Sequence, residues 1–281
     1  LPQKFGTERV LDTPISETAI VGAAVGAALA GMRPVADMHF ADFIGVCMDE
    51  VFNQMAKVRF MFGGQCKVPM VLRAPDGIIR SAAAQHSQSV EAWFMHIPGV
   101  KVVIPSNPAD AKGLLKAAIR SDDPVLYFEH KVLFPMKGPV PEGDHVVPIG
   151  KANVSRKGKD VTIVSYSLMM HRALEAAEKL AAEGIQAEVI DLRTISPIDK
   201  ETIFDSVRKT KRLVIVHEAV KQGGVGAEIS ALVAEEMIDW LDAPIRRIGA
   251  PFVPVPFSPP LEQLVKISAD HITKTVKEIC R

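Results

Sequence analysis

Short runs rich in valine and isoleucine recur along this chain, and between them lie stretches with the spacing of helices. Strands of this kind, each followed by a helix, return to the sheet in the same direction, so the pattern predicts parallel sheets built from βαβ units. In the first half the strand candidates are "PVADMHF", "VPMVLR", "KVVIP" and "VLYFEH", with helices expected near 18–31, 42–61, 87–95 and 108–120. The stretch "PMKGPVPEGDHVVPIGK" is rich in Pro and Gly without apolar periodicity and reads as a linker between domains. Beyond it come "VTIVSYS", "AEVIDLR", "RLVIVHE" and "PIRRIG". Helices are expected near 170–183, 199–209 and 224–240, with a terminal one near 269–279. The expectation is two α/β domains, 1–136 and 150–281, joined by 137–149.

Composition narrows the function classes. Charged residues make up 23% and the formal net charge is zero, so no overall field favours nucleic acid or an anionic membrane. The longest apolar run, Ala19 to Ala30, falls short of the ~18 residues of a membrane span. Cys47, Cys66 and Cys280 form no paired motif, which fits reduced thiols and a cytoplasmic location. The opening "LPQKFGTERV" is neither a signal peptide nor a full strand or helix, and reads as a chain starting partway into a domain.

One carboxylate stands out. In "SETAIVGAAVGAALAG", Ser16 is a good N-cap after Pro14, placing Glu17 in the first helical turn. Pairing with the helix macrodipole would explain the acid on an exposed helix. This helix is apolar all round and is expected to be buried, with Gly22, Gly26 and Gly31 allowing close backbone approach. A buried acid is costly unless paired or protonated, so Glu17 is a functional candidate.

Glu17 followed by glycines at this spacing resembles the pyrimidine-domain signature of thiamine-diphosphate enzymes. The resemblance extends along the chain through "RVLDTPISE", "GMRPVADMHFADF", "GGQCKVPMVLR", "QHSQSVEAWFMHIPG", "AEVIDLRTISPID" and "GGVGAEI" in order. Together these are similar to the β subunit of the heterotetrameric first component of 2-oxo-acid dehydrogenase complexes. The wording is closest to the acetoin dehydrogenase branch. The resemblance implies a pyrimidine-binding domain with a parallel sheet, followed by a transketolase C-terminal-type domain that supports assembly. It implies that Glu17 hydrogen-bonds N1′ of the cofactor's aminopyrimidine and that Phe43 packs on that ring, although an ordinary core aromatic is the alternative for Phe43. His86 matches the family's active-site histidine and is expected after a small-residue loop at the start of a helix. A capping surface histidine is its alternative reading, and His39, His96 and His130 have no comparable claim.

The resemblance also implies a structural potassium ion at Met70, Ala118, Ile119, Ser121 and Asp123, where Ser121 replaces a common aspartate. Gly223, Gly224 and Gly226 suggest a phosphate cradle only weakly. Arg246 and Arg247, with "PVPFSPP", either face a partner chain or form a solvated pair. The Gly-Asp-Gly…Asn module that holds the diphosphate and Mg2+ has no match here, so the resemblance assigns both to an α subunit. The implied assembly has two α and two β subunits with a central β–β contact, docked on a dihydrolipoyl acyltransferase core. The family's usual N-terminal helix and first strand are absent from these residues. Two other readings stay open: a non-catalytic tethering subunit, and half of a split transketolase-like enzyme.

Overall fold

The computed structural model describes residues 1–280. The first half contains α1 (Pro2–Phe5), α2 (Glu17–Leu29), β1 (Val35–Asp37), α3 (Ala56–Met61), β2 (Val71–Asp76), α4 (Glu91–Met95), β3 (Lys101–Val103), α5 (Pro108–Arg120) and β4 (Val125–His130). The second half contains β5 (Asn153–Arg156), β6 (Val161–Ser165), α6 (Leu168–Ala182), β7 (Ala187–Asp191), β8 (Thr194–Ser196) and α7 (Lys200–Thr210). It continues with β9 (Leu213–Val220), α8 (Val225–Met237), β10 (Arg246–Ala250), α9 (Pro259–Val265) and α10 (Ala269–Ile279).

Two five-stranded sheets result, ordered β1-β2-β4-β3-β8 and β10-β9-β6-β7-β5. Each is parallel except for one edge strand, β8 against β3 and β5 against β7. The central strands are covered on both faces, which is why β6 and β7 are buried at every residue. Burial of side chains such as Ile163, Val189 and Ile215 is worth roughly 1.5–3 kcal/mol each. Strand β8 comes from the second half of the chain yet completes the first sheet, and one apolar core is shared across the two halves. Residues 137–149 contain no strand or helix, and Val147 anchors them through its N–H to the Gly113 carbonyl, 3.2 Å.

Helix ends follow local chemistry. Asn107 Oδ1 accepts from the Asp110 N–H at 2.9 Å, and Pro108 opens α5 where no N–H is required. Asp199 caps α7 through the Thr202 N–H, and α10 begins at Ser268, which accepts from the His271 N–H.

Four expectations change. The predicted helix 42–61 is a 3₁₀ run (Ala41–Cys47), a π-helical run (Glu50–Met55) and then α3. The predicted helix 87–95 is regular only over α4, because the Gln88 N–H bonds Asp42 and its carbonyl bonds the Gly77 N–H. His86 therefore sits in a loop and does not open a helix. Helix α2 is not buried all round: Val21, Ala24, Val25 and Ala28 face the core, whereas Gly22, Ala23, Gly26 and Leu29 are exposed, because this chain packs against one side only. Among the described residues no helix is long and apolar enough to cross a membrane.

Candidate active site

The carboxyl edge of the first sheet is where ligand sites of open α/β sheets gather. There β2 and β4 end side by side, with Asp76 opposite His130. Strand β9 brings His217 and Glu218 to the same joint from the other half of the molecule. Glu218 Oε1 lies 2.9 Å from His130 Nε2 and accepts from the Ile78 N–H at 2.6 Å. Nearby the Tyr166 hydroxyl donates to Glu91 Oε1 at 2.6 Å. Gly77 makes this closeness possible: its φ is +81° and an added Cβ would lie 2.2 Å from His130 Nε2.

Burial governs the electrostatics here. It pushes the Asp76 carboxyl up to about 8, against the opposing pull of His130. Glu91 is raised by the same cause despite the Tyr166 hydrogen bond. For His130 burial works downward, but the charge and hydrogen bond of Glu218 outweigh it and hold the imidazole above its ordinary value. His217 lacks such a partner; burial drops it to about 4, and its Nδ1–H donates to the Ala219 carbonyl at 3.0 Å. Asp76 Oδ1, Glu91 Oε2 and Ser167 Oγ are buried without a partner among the described residues, and all three residues line one small interior cavity.

His86 stands on the loop above this joint. Its ring meets Phe43 edge-on at 5.3 Å and Phe40 at 5.6 Å, with interplanar angles of 77° and 75°. The Lys131 ammonium donates to the His86 carbonyl and lies 4.6 Å from the Phe40 ring centroid. Burial lowers the Lys131 pKa, the nearby Asp42 and Asp76 opposing it. The loop is strained: Ser81 and Ala83 adopt φ of 56° and 58°. A left-handed non-glycine residue costs on the order of 1–3 kcal/mol and persists only where its surroundings impose it.

Two of the expected residues, Phe43 and His86, are thus in contact. Glu17 lies on the neighbouring element: α2 packs on the 3₁₀ run that carries Phe43, and the Thr18 hydroxyl donates to the Val46 carbonyl at 3.3 Å. Cys47, on that run, is pushed up to about 12 by burial first, then by the charge of Glu50, with a smaller contribution from Glu17. Glu17 itself is only half-buried in the single chain, so the full burial expected of it is not supplied here. Ser16 makes no side-chain cap, and its hydroxyl donates to the Pro14 carbonyl, so the positive end of α2 stays open beside Glu17.

The potassium positions come together at a different corner. The Ile119 and Ser121 carbonyls accept from the Arg33 guanidinium at 3.0 and 2.8 Å. The Ala118 carbonyl accepts from the Ser121 N–H and the Met70 carbonyl from the Val125 N–H. Asp123 pairs with Arg59 and Lys101, and Asp122 with Arg33 and Lys67. Cationic side chains thus meet the Ile119 and Ser121 carbonyls and the Asp123 carboxylate, and a potassium ion held here would share those oxygens with Arg33, Arg59 and Lys101. Among the described residues no cluster of His, Cys, Asp and Glu could hold a metal. Gly224 and Gly226 press on the His217 ring, a packing role rather than a phosphate cradle. Arg247 donates to the Lys221 carbonyl, and Phe252, Val253 and Phe257 beside it are exposed.

The residues missed in sequence are Asp76, Lys131, His130, Glu218 and Glu262. A usable signal existed for three of them: "RAPD", "FEH" and "VHE" each end an apolar strand on an ionisable residue at the sheet edge.

Two joined α/β units, with an aromatic and histidine cluster at the first sheet's carboxyl edge, define a transketolase-type architecture. Family models of the transketolase pyrimidine-binding domain and the transketolase C-terminal domain match residues 1–137 and 150–272. A solved split-gene transketolase, an inactive β4 tetramer, superposes with a TM-score of 0.80 at 27% identity, covering 95% of this chain and 82% of that one. The β subunit of an acetoin:2,6-dichlorophenolindophenol oxidoreductase from Cupriavidus necator is 54% identical over 96% of this chain and 80% of its own length. The β subunit of 2-oxoisovalerate dehydrogenase from Bacillus subtilis is 46% identical over 99% of this chain and 86% of its own length. A mitochondrial pyruvate dehydrogenase E1 β subunit of Oryza sativa is 47% identical over the whole of this chain and 76% of its own length. The chain belongs to this family of acetoin and 2-oxo-acid dehydrogenase β subunits.

Proposed function

We propose that this chain is one half of a thiamine-diphosphate site, completed by an α subunit, in an enzyme that cleaves the C–C bond beside a carbonyl and passes the acyl group to a lipoyl arm. The observation that carries this is the meeting of Phe43 and His86 beside the open N-terminus of α2, which bears Glu17. These residues fit the aminopyrimidine half of the cofactor: a carboxylate for a ring nitrogen, and an apolar wall for a flat ring. When bound, thiamine diphosphate supplies a nucleophilic carbon and a sink for the electron pair of the broken bond. Glu17 shares a proton with the ring nitrogen N1′. Phe43 holds the ring and keeps water from it. His86, with its backbone carbonyl fixed by Lys131, offers an imidazole to the substrate side, where it can hold or donate a proton during acyl transfer.

The diphosphate and Mg2+ fall to the α subunit, since the sequence has no Gly-Asp-Gly…Asn module. The exposed face of α2, with Phe60 and Met61 of α3 and Phe62 just after it, is the surface we assign to partner chains, α and the second β. Docking on an acyltransferase core and a cytoplasmic location complete the reading. The acetoin relative is more similar than the 2-oxo-acid ones, which favours acetoin as substrate. The same ordering places the dehydrogenase reading ahead of half a split transketolase.

The test is calorimetric titration of thiamine diphosphate with Mg2+ into this chain, its α partner, and the mixture. Tight binding by the mixture alone, lost in Glu17→Ala, is expected. Binding by this chain alone would overturn the shared site, and no binding by the mixture would shift the reading to a tethering subunit.

A further inference from the structure

The loop that carries His86 is held from the other half of the chain. It leaves β2 at Gly77 and reaches α4 at Glu91. Within the first half it is tied by Asp42, which accepts from the Gln88 N–H at 3.0 Å, and by Lys131 at the His86 carbonyl. Two further ties come from carboxylates more than a hundred residues away. Glu218 of β9 accepts from the Ile78 N–H at 2.6 Å, and Glu262 of α9 accepts from the Ser81 N–H at 2.8 Å. Both acids are buried, and Glu262 is 1% exposed, with its second oxygen bonded by Lys266. Charge-assisted bonds of this kind are the stronger class.

The point of attachment matters. Ser81 is one of the two left-handed non-glycine residues of the loop, so Glu262 grips the backbone at a strained turn. Such a conformation relaxes when its support is removed. Only four residues, Ala82 to Gln85, separate Ser81 from His86, so relaxation there moves the imidazole against Phe40 and Phe43. A C-terminal domain concerned with assembly alone would not need to place a buried acid on this amide.

We propose that Glu262 and Glu218 are positioning residues for His86, so that the second half of the chain sets the geometry of acyl transfer. This rests on the reading of His86 given above. Neither acid touches substrate; each acts through a backbone amide of the loop.

The experiment uses the assembled enzyme with its α partner and compares kcat with a lipoylated domain and with a dye acceptor. In Glu262→Ala, kcat with the lipoylated domain should fall roughly ten- to a hundredfold, the cost of misplacing a catalytic group, with KM for thiamine diphosphate unchanged. Glu262→Gln keeps an acceptor for the Ser81 N–H and should restore most of the rate, as should Glu218→Gln. The double variant His86→Ala/Glu262→Ala should be no slower than His86→Ala, because residues acting as a unit are not additive. Additive losses, or a Gln variant as slow as the Ala one, would overturn the proposal. Full activity in Glu262→Ala beside a slowed His86→Ala overturns it while leaving the His86 reading intact. An undiminished His86→Ala overturns both. Should Glu262→Ala not fold, amide exchange on the native enzyme decides. Protection of Ser81 and Ile78 at the level of β9 supports the proposal, and exchange at the rate of exposed loop amides defeats it.

Discussion

The layers formed by α6 with α10 and by α2 with the irregular helical segment 41–61 cover their sheets in opposite ways. Helix α6 buries Met169, Met170, Ala173, Ala176, Ala177 and Leu180, and α10 closes over it with Ile272, Val276 and Ile279. The outward side there is charged, with Lys179 bridging Glu175 and Asp270. The layer of α2 and segment 41–61 does the reverse. Phe60 is 86% exposed and Met61 74%, with Phe62, Met32 and Leu29 also exposed. Exposed patches of this kind mark surfaces that other chains cover. The chain finishes one layer by itself and leaves apolar side chains of the other exposed, the surface assigned above to partner chains.

The largest expected effect is chemical. Glu17→Gln keeps the shape of the helix mouth and removes the acid. Activity of the assembled enzyme should drop about 10²- to 10⁴-fold, the usual worth of a placed acid or base. Melting and subunit assembly should stay as they are, by calorimetry and sedimentation. A drop in assembly equal to the drop in rate would make Glu17 an interface residue and blur the contrast between the layers.

Next comes the self-contained layer. Leu180 is fully buried on α6. Leu180→Ala should cost about 2–5 kcal/mol of stability through lost burial and the cavity left behind. The cost should be visible in denaturant melts of this chain alone. On the other layer Phe60→Ala should leave those melts unchanged and weaken subunit association instead, by about 30-fold if Phe60 is an anchor worth about 2 kcal/mol. An effect of Phe60→Ala on the isolated chain, or none on association, would break the comparison.

The same contrast explains what was legible in the sequence. The expected helices 108–120 and 269–279 coincide with α5 and α10, whose starts are set by near neighbours in the chain, Asn107, Pro108 and Ser268. Strands β5 and β8 were not legible, since three or four residues gain strand geometry only from the partner they join. Helix α2 was read as wholly buried because its sequence is apolar on every side, and composition does not say which chain will cover it. Phe43 and His86 were reached through the family pattern, not through any local signal. The roles of Glu218 and Glu262 were not read: "VHE" marks Glu218 only as an acid late in a strand, and the two acids meet the His86 loop from 140 and 181 residues away, a distance over which spacing carries no information.

The smallest effect concerns pH. The folded chain holds protons that the unfolded chain has lost, on Asp76 at about 8 instead of 3.8, and on His130 above its ordinary 6.5. Where the folded state binds more protons, stability falls as pH rises. For Asp76 the fall runs from about pH 4 to about pH 8, because the buried carboxyl must either stay protonated or ionise without solvent. For His130 the ion pair with Glu218 is complete below 6.5 and is lost as pH passes the raised value. The two therefore act in the same direction. Melting of the isolated chain should be lower at pH 8 than at pH 6, and Asp76→Asn, which cannot ionise, should remove much of that slope. A steeper slope in Asp76→Asn would mean that the proton at this joint rests elsewhere. Both groups that carry the slope, Asp76 and His130, lie where β2 and β4 meet β9, so the slope belongs to the joint between the two halves and not to the other layer.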